Sequence, residues 1–259
     1  MDEGLDYAFP HSDADEARRL QLLEQRLHPL TQRRGRRLGI ASGARCLEIG
    51  GGHGSVTRFL SELVGPTGAV TATDLQLGFL NALHLPNVQV LRHDIRSDTF
   101  PEASFDLVHT RAVLMHIPAG LELLTRMASW LAPGGWILLE EPDFGRWLGD
   151  ADPLWSSHPQ SWHDSFPNGS MSRGRWLLRQ IGRLGLEDVG ADAEMDVIQG
   201  GTTMAEFYRL SQTALAPSTV RSGARTTNEV NDIVERLGQD DFFACGFVHI
   251  GVWGRRPPV

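Results

Sequence analysis

The sequence predicts an α/β protein with a doubly wound, mostly parallel sheet. From residue 45 onward, short apolar runs alternate with helical stretches, which is the pattern of repeated βα units. The first of these runs leads straight into a glycine cluster, as expected where a strand turns directly into a helix. With 259 residues, of which 41% are hydrophobic, the chain can bury one substantial core. We therefore expect one domain that carries added segments.

The N-terminal segment, residues 1–40, is predicted to form a helical cap. Ser12 and the acidic residues after it are a helix-start signal, and leucines recur at helical spacing up to an expected break at Pro29. A second short helix rich in arginine should follow. In an acidic protein such a run is more typical of a solvated face than of a phosphate site. We expect a solvated face made of Arg33, Arg34, Arg36 and Arg37.

Residues 41–259 are predicted to form the main α/β domain. Its first strands should cover residues 45–49, 69–73, 88–92, 105–109 and 135–140. Helices should begin near Ser55, Leu77 and Leu121, and a turn at 133–135 should precede the fifth strand. Later elements are expected as a helix at 171–184, a strand at 194–198, a helical insertion at about 202–238 and a final strand at 247–253.

The segment from about 144 to 170 is predicted to be a lid or binding insertion after the fifth strand. It is rich in Trp, Pro, Gly, His and Asp and has no clear period. Its aromatic residues suit the enclosure of a planar or apolar molecule, although an ordinary hydrophobic cluster under a long loop is an equally good interpretation. The aromatic residues concerned are Phe144, Trp147, Trp155, Trp162 and Phe166.

Charge and cysteine content restrict the class of partner. The formal net charge is -8, so no overall positive field attracts nucleic acid, and no lysine is present to form a Schiff base. Cys46 and Cys245 each lie in an apolar run and are expected to be buried thiols. The start of the chain has neither a basic nor an apolar targeting region. We therefore expect a cytoplasmic protein that does not insert into a membrane and binds no metal. Assembly into a homodimer is possible.

The strongest local motif runs from Cys46 to Gly54, an apolar strand that ends in a glycine-rich turn. Glycines there let a ligand approach the backbone, and the helix that follows offers free N–H donors. Asp74 falls at the end of the second strand, where a carboxylate can accept hydrogen bonds from both hydroxyls of a ribose. Together these residues predict an adenosine-containing cofactor.

Together with a His-Asp-Ile run at 93–95 after the third strand, this motif resembles class I, seven-stranded Rossmann-like, S-adenosylmethionine-dependent methyltransferases over about residues 40–145. The resemblance implies that Glu48, Gly50, Gly52 and Gly54 surround the methionine part of the cofactor. It further implies that Asp74 holds the ribose and that Leu75 packs on the adenine. The remaining contacts that it implies are Asp94 and Ile95 at the adenine edge, and Thr110 and His116 after the fourth strand.

Two other functions stay open. A nicotinamide dehydrogenase also uses a glycine turn followed by an acid, but its fingerprint would require glycine or alanine where Ser55 stands. A methyltransferase fold can also keep its cofactor pocket for cyclisation, binding or regulation. The run after the fourth strand, residues 109–113, lacks the Pro-Pro-aromatic motif of enzymes that methylate a flipped DNA base. What remains is a small-molecule acceptor of the quinone, lipid or natural-product type, as in secondary metabolism.

A group that deprotonates the acceptor is expected near the end of the fifth strand. Methyl transfer from a sulfonium mainly requires an aligned acceptor and the exclusion of water, so a base is optional. Glu141 and Asp143 are the first carboxylate candidates because they lie at the strand edge where open α/β sheets bind ligands. His158 and His163 in the following loop are the alternatives. Each of the four has a structural interpretation as well, as a helix cap or a solvated side chain.

Overall fold

A computed structural model describes residues 14–118, 120–144, 155 and 170–258. Its strands are β1 (Arg45–Ile49), β2 (Ala69–Asp74), β3 (Val88–Arg92), β4 (Phe105–Arg111), β5 (Leu131–Asp143), β6 (Glu187–Gln199) and β7 (Phe243–Arg255). Its helices are α1 (Ala14–Arg37), α2 (Ser55–Val64), α3 (Gly78–Asn81), α4 (Leu121–Ser129), α5 (Arg173–Gln180), α6 (Thr203–Arg221) and α7 (Thr227–Arg236). None of the described helices is long and apolar enough to cross a membrane.

The strands form one sheet in the order β3-β2-β1-β4-β5-β7-β6. β1 lies parallel to β2 and β4, and parallel pairing continues to β3 and β5. The strand order reverses between β1 and β4, and open α/β sheets bind ligands beyond the carboxyl ends of strands at such a switch point. The predicted α/β fold, with a mostly parallel sheet and an N-terminal helix, is confirmed.

The core of the parallel part lies between α2 and strands β1, β2 and β4. Cys46 on β1 is fully buried, and Val64 of α2 belongs to the same buried cluster. Burial, with a smaller effect of Asp106, raises the pKa of the Cys46 thiol to about 12. The prediction of a buried thiol at this position is confirmed, while Cys245 is half-buried.

Several element boundaries differ from the prediction. The expected break at Pro29 is wrong, because α1 runs on from Ala14 to Arg37 with the proline inside it. The proline removes one backbone hydrogen bond, but leucines on both sides of it are buried, and that packing offsets the loss. β6 and β7 are each 13 residues long, well beyond the predicted strands. The predicted turn at 133–135 lies inside β5, where the pairing with β4 has an irregular register.

By its internal contacts the chain divides into two units, and this division does not follow the predicted boundary at residue 40. The larger unit comprises His28–Pro142, Arg173–Ala193 and His249–Val259, and it contains the parallel strands. The other comprises the described residues of Met1–Leu27, Asp143–Ser172 and Glu194–Val248.

In the larger unit, Arg34 corrects the expectation of a solvated arginine face. Arg33, Arg36 and Arg37 are exposed as predicted, whereas the side chain of Arg34 is fully buried. Its Nη1 donates to Glu140 at 2.5 Å, and its Nε donates to Asp192 at 2.7 Å. A buried charge is tolerated only when it is paired and hydrogen-bonded, and Arg34 meets both conditions.

Glu140 is the fully buried partner of Arg34 and extends the network along β4 and α1. It also accepts hydrogen bonds from His109 Nε2 at 2.9 Å and from Thr31 Oγ1 at 2.7 Å. Burial alone would favour the neutral acid, but the hydrogen bond from His109 and the charge of Arg34 hold the pKa of Glu140 well below its usual range. This carboxylate is therefore ionised and structural.

In the smaller unit, an aromatic cluster surrounds Trp155. The indole is fully buried, donates from Nε1 to the carbonyl of Cys245 at 3.0 Å, and packs edge-on against Tyr208 and Phe242. For Trp155 this packing supports the alternative prediction, an ordinary hydrophobic cluster, because the apolar area of the indole is already buried inside the unit. Phe144 is likewise buried, against Phe247. The other predicted lid aromatics, Trp147, Trp162 and Phe166, lie outside the described residues.

Candidate active site

The glycine turn follows β1 directly and begins α2. Gly50, Gly52 and Gly54 have φ of 71°, 53° and 82°, left-handed values that glycine adopts without strain. The N–H groups of Gly50 and Gly51 donate to the carbonyl of Thr73 at 2.8 and 2.9 Å. The end of β2 therefore fixes the first half of the turn.

Described side chains crowd three of the four glycines of the turn, Gly50, Gly51 and Gly54, and leave Gly52 open. A Cβ on Gly50 would overlap the side chain of Val113, and a Cβ on Gly54 would lie 2.6 Å from Cδ1 of Leu83. A Cβ on Gly52 would meet no heavy atom of the described residues within 4 Å. The backbone at Gly52 thus borders space that a ligand could occupy.

Asp74, the last residue of β2, lies beside that open glycine. Its Oδ2 accepts the Gly52 N–H at 3.0 Å, and its Oδ1 accepts the Gln76 N–H at 3.1 Å. A carboxylate has about four acceptor sites, so these two bonds leave capacity for two further donors. Asp74 is half-buried, as is Leu75 next to it. This position fits the predicted recognition of a ribose.

Glu48 lies beneath the turn, on β1. It is buried and accepts a short hydrogen bond from Thr57 Oγ1 on α2, and its backbone carbonyl accepts Thr73 Oγ1 at 3.1 Å. These bonds tie β1, β2 and α2 together at the point where the chain leaves the sheet. Glu48 therefore supports the shape of the glycine turn.

The segment after β3 brings Asp94 and Ile95 to the same edge of the sheet. The guanidinium of Arg96 donates to Asp94, from Nε to Oδ1 at 2.9 Å and from Nη2 to Oδ2 at 2.6 Å. Hydrogen bonding to this guanidinium is the largest cause that lowers the pKa of Asp94. Ile95 is buried, and its carbonyl accepts a short hydrogen bond from Arg126 of α4. Arg96 and Arg126 were not anticipated from the sequence.

Thr110 lies near the end of β4, in register with Ile49 of β1 and Leu139 of β5. It is fully buried, and its Oγ1 has no hydrogen-bond partner among the described residues. An orphaned buried hydroxyl is costly unless a ligand or water satisfies it. His116 follows in a single 3₁₀ turn, Leu114–His116, and is half-buried.

Glu141, a predicted catalytic residue, is fully buried on β5 and accepts three backbone N–H groups. Burial raises its pKa to about 7, although the hydrogen bonds from Leu114, Val113 and Met115 oppose the shift. These contacts favour a positioning role over the predicted role as a base.

Of the other three catalytic candidates, the structure describes Asp143. Asp143 is the last residue of β5 and is buried. His158 and His163 lie outside the described residues. The assignment of a base thus stays a prediction.

Residues 17–189 match the family of methyltransferase domains. Because this match spans more than half of the chain, the chain belongs to that family. The predicted resemblance to class I S-adenosylmethionine-dependent methyltransferases is confirmed, and S-adenosylmethionine is the cofactor of that class.

Among similar proteins, the ubiquinone/menaquinone biosynthesis C-methyltransferase UbiE of Pseudomonas savastanoi is 35% identical over 111 residues, which cover 40% of this chain and 43% of that protein. Methyltransferase str2 of Strobilurus tenacellus is 36% identical over 101 residues, which cover 39% of this chain and 36% of that protein. The chain thus spans less than half the length of these curated relatives.

Solved structures share the fold at low sequence identity. The YcgJ protein of Bacillus subtilis has a TM-score of 0.56 at 18% identity, over 83% of this chain and 93% of that one. Phosphoethanolamine N-methyltransferase 2 of Haemonchus contortus, solved with S-adenosylhomocysteine, has a TM-score of 0.53 at 18% identity. The match covers 94% of this chain and 53% of that one. The [4+2]-cyclase SpnF has a TM-score of 0.52 at 16% identity, and the match covers 85% of this chain and 77% of that one.

The described residues fit the cofactor of this family. Among the described residues, none fills the space beside Gly52, two N–H groups bond to the carboxylate of Asp74, and none bonds to the hydroxyl of Thr110. These three features belong to the ends of neighbouring strands β1, β2 and β4, where the sheet order reverses.

Proposed function

We propose that this chain transfers a methyl group from S-adenosylmethionine to a small, apolar or aromatic metabolite. The observation that carries the proposal is the open backbone at Gly52 beside the free acceptor capacity of Asp74. When bound, S-adenosylmethionine supplies an electrophilic methyl group on a sulfonium. The work of the chain is then to hold the reactants in line and to exclude water.

The residues that would hold the cofactor are Glu48, Gly50, Gly52, Gly54, Asp74, Leu75, Asp94, Ile95, Thr110 and His116. Asp74 would accept the ribose hydroxyls while it keeps its bonds to the turn. Both oxygens of Asp94 already accept hydrogen bonds from Arg96, so the adenine amine would have to replace one of these donors. Thr110 would gain a partner for its buried hydroxyl.

For the acceptor, we propose an aromatic metabolite of the quinone or natural-product type. The 35% sequence identity to the C-methyltransferase UbiE, over 40% of the chain, supports this class of acceptor. When the acceptor is a phenol, an enol or an ammonium group, it must lose a proton, and Asp143 or a histidine of 145–169 would take it. A cytoplasmic location, a homodimer and the exclusion of nucleic acid as substrate stay predictions.

A second candidate function keeps the cofactor pocket without methyl transfer. The similarity of fold to SpnF, which is a [4+2]-cyclase, illustrates that this architecture also serves other reactions. Transfer of labelled methyl from S-adenosylmethionine to an aromatic acceptor would distinguish the two functions. The dehydrogenase alternative loses its support because the chain belongs to the methyltransferase family.

Replacement of Gly52 by alanine tests the proposed site, with Gly39→Ala as the matched control. Both glycines have a left-handed φ, 53° and 67°, and neither Cβ would meet a described heavy atom within 4 Å. Both variants should therefore lose a similar amount of stability, about 1 kcal/mol, through backbone strain alone. Only Gly52→Ala should weaken S-adenosylhomocysteine binding, by about tenfold or more, because its Cβ would enter the space proposed for the cofactor.

Isothermal titration and thermal unfolding of both variants provide the measurement. Equal affinity for S-adenosylhomocysteine in the two variants would place the cofactor away from Gly52.

A further inference from the structure

The loop between β4 and α4 is strained and lies against the glycine turn. Ala112 has a φ of 55°, a left-handed value that is unfavourable for a residue with a Cβ. The next side chain, Val113, fills the space that a Cβ on Gly50 would need. Backbone strain of this kind persists only where surrounding contacts hold it in place.

Glu141 supplies most of those contacts from β5. Its Oε1 accepts the N–H groups of Val113 and Leu114 at 3.1 and 2.8 Å, and its Oε2 accepts the Met115 N–H at 3.0 Å. Three consecutive amides are therefore held by one carboxylate that is fully buried. When the carboxyl is ionised, these hydrogen bonds are charge-assisted and therefore stronger than neutral ones.

Arg173 holds the end of the same loop from the first residue of α5. It is buried, and its Nη2 donates to the carbonyl of Ile117 at 2.9 Å. The positive charge of Arg173 also stabilises the ionised form of Glu141. A Cβ on Gly174 would lie 3.1 Å from the backbone oxygen of Glu141, so α5 begins in direct contact with β5.

We propose that Glu141 and Arg173 form a clamp that presses the loop 112–117 against the glycine turn and so pre-forms the cofactor site. Glu141 is then a positioning residue. Its two oxygens already accept three N–H groups, which leaves about one of four acceptor sites. The part of the proposal that concerns cofactor affinity rests on the proposed function, whereas the part that concerns the loop does not.

Hydrogen exchange of the cofactor-free protein tests the clamp directly. Glu141→Gln replaces one accepting oxygen by an NH₂ group, and Arg173→Met removes the bond to Ile117 together with the charge. In Glu141→Gln the amides of Leu114 and Met115 should exchange about tenfold faster or more, the effect of losing a hydrogen bond to a charged group. In Arg173→Met the segment 112–117 should also exchange faster, because the loop loses its hydrogen bond at the Ile117 carbonyl. A peptide spanning 112–117 reports this change.

Val64→Ala is the matched control because it weakens the buried cluster around α2 without touching the loop. When Val64→Ala and the clamp variants lose the same global stability, Val64→Ala should leave the ratio between the exchange rate of peptide 112–117 and the rates of other peptides at its wild-type value. Wild-type exchange of this peptide in both Glu141→Gln and Arg173→Met would overturn the clamp. If one variant does not fold, the other decides the outcome.

Binding and turnover separate positioning from catalysis. Both variants should bind S-adenosylhomocysteine about tenfold more weakly or worse, with a smaller change in kcat at saturating cofactor. A large loss of kcat at unchanged affinity would make Glu141 a catalytic residue and contradict the clamp. If the wild-type protein bound no S-adenosylhomocysteine, the proposed function would be wrong. The hydrogen-exchange data would still show whether Glu141 and Arg173 hold the loop.

Discussion

At the scale of single residues, Glu141 should make folding stability depend on pH. Burial raises its pKa from 4.5 to about 7, against the opposing effect of three backbone hydrogen bonds and of Arg173. The folded protein therefore binds this proton more tightly than the unfolded chain does. The contribution is complete below pH 4.5 and is lost as the pH rises through 7, and it amounts to on the order of 3 kcal/mol.

Glu141→Gln should remove that slope from the free energy of unfolding between pH 4.5 and 7. Denaturant titrations at a series of pH values measure it, with the exposed Glu102→Gln as the control that keeps the wild-type slope. A Glu141→Gln variant with the wild-type pH profile would show that this carboxyl does not titrate in the range.

Single residues also show what the sequence can and cannot reveal about the site. Asp74 and the glycines of the turn were predictable, because their roles depend on the strand that precedes each of them and on a short local spacing. The role of Glu141 was not, since its partners are amides about 27 residues earlier in the chain and become neighbours only when β5 lies beside β4. Arg34 was misjudged for the same reason, as its partners Glu140 and Asp192 are distant in sequence.

At the scale of elements, Gly251 of β7 makes room for the buried Arg34 of α1. A Cβ at that position would overlap the guanidinium of Arg34. Gly251→Ala should therefore destabilise the protein by about 1–3 kcal/mol through overpacking and displacement of a buried charge. Gly182→Ala is the matched control, because its Cβ would meet no described heavy atom within 4 Å.

Chemical denaturation of the two variants gives the comparison. Equal stability of Gly251→Ala and Gly182→Ala would mean that the packing of Arg34 adapts without cost.

Element boundaries were predictable where the local pattern is strong. The βα alternation from 45 to 92 follows the sequence closely, since each strand there is a short apolar run between turn residues. The first half of β6 was not predicted. Most residues of this strand are exposed or half-buried, so no apolar pattern marks its beginning. The continuity of α1 through Pro29 was not visible, since buried leucines on both sides offset the lost hydrogen bond.

At the scale of the whole molecule, the family and the fold agree with the site. The reversal of strand order between β1 and β4 brings the glycine turn, Asp74 and Thr110 to neighbouring strand ends. This arrangement depends on the order of strands in the sheet. The resemblance to class I methyltransferases predicts that order, whereas the alternation of strands and helices alone does not. The identity of the acceptor does not follow from topology, because it depends on the side chains that would contact the acceptor.

Isothermal titration of the wild-type protein with S-adenosylhomocysteine and with NADH tests the central claim most directly. The account predicts binding of S-adenosylhomocysteine in about the micromolar range, no binding of NADH, and an affinity about tenfold to a hundredfold weaker in Asp74→Ala through loss of hydrogen bonds to a charged group. Heat from NADH but not from S-adenosylhomocysteine, or an Asp74→Ala variant with wild-type affinity, would contradict it.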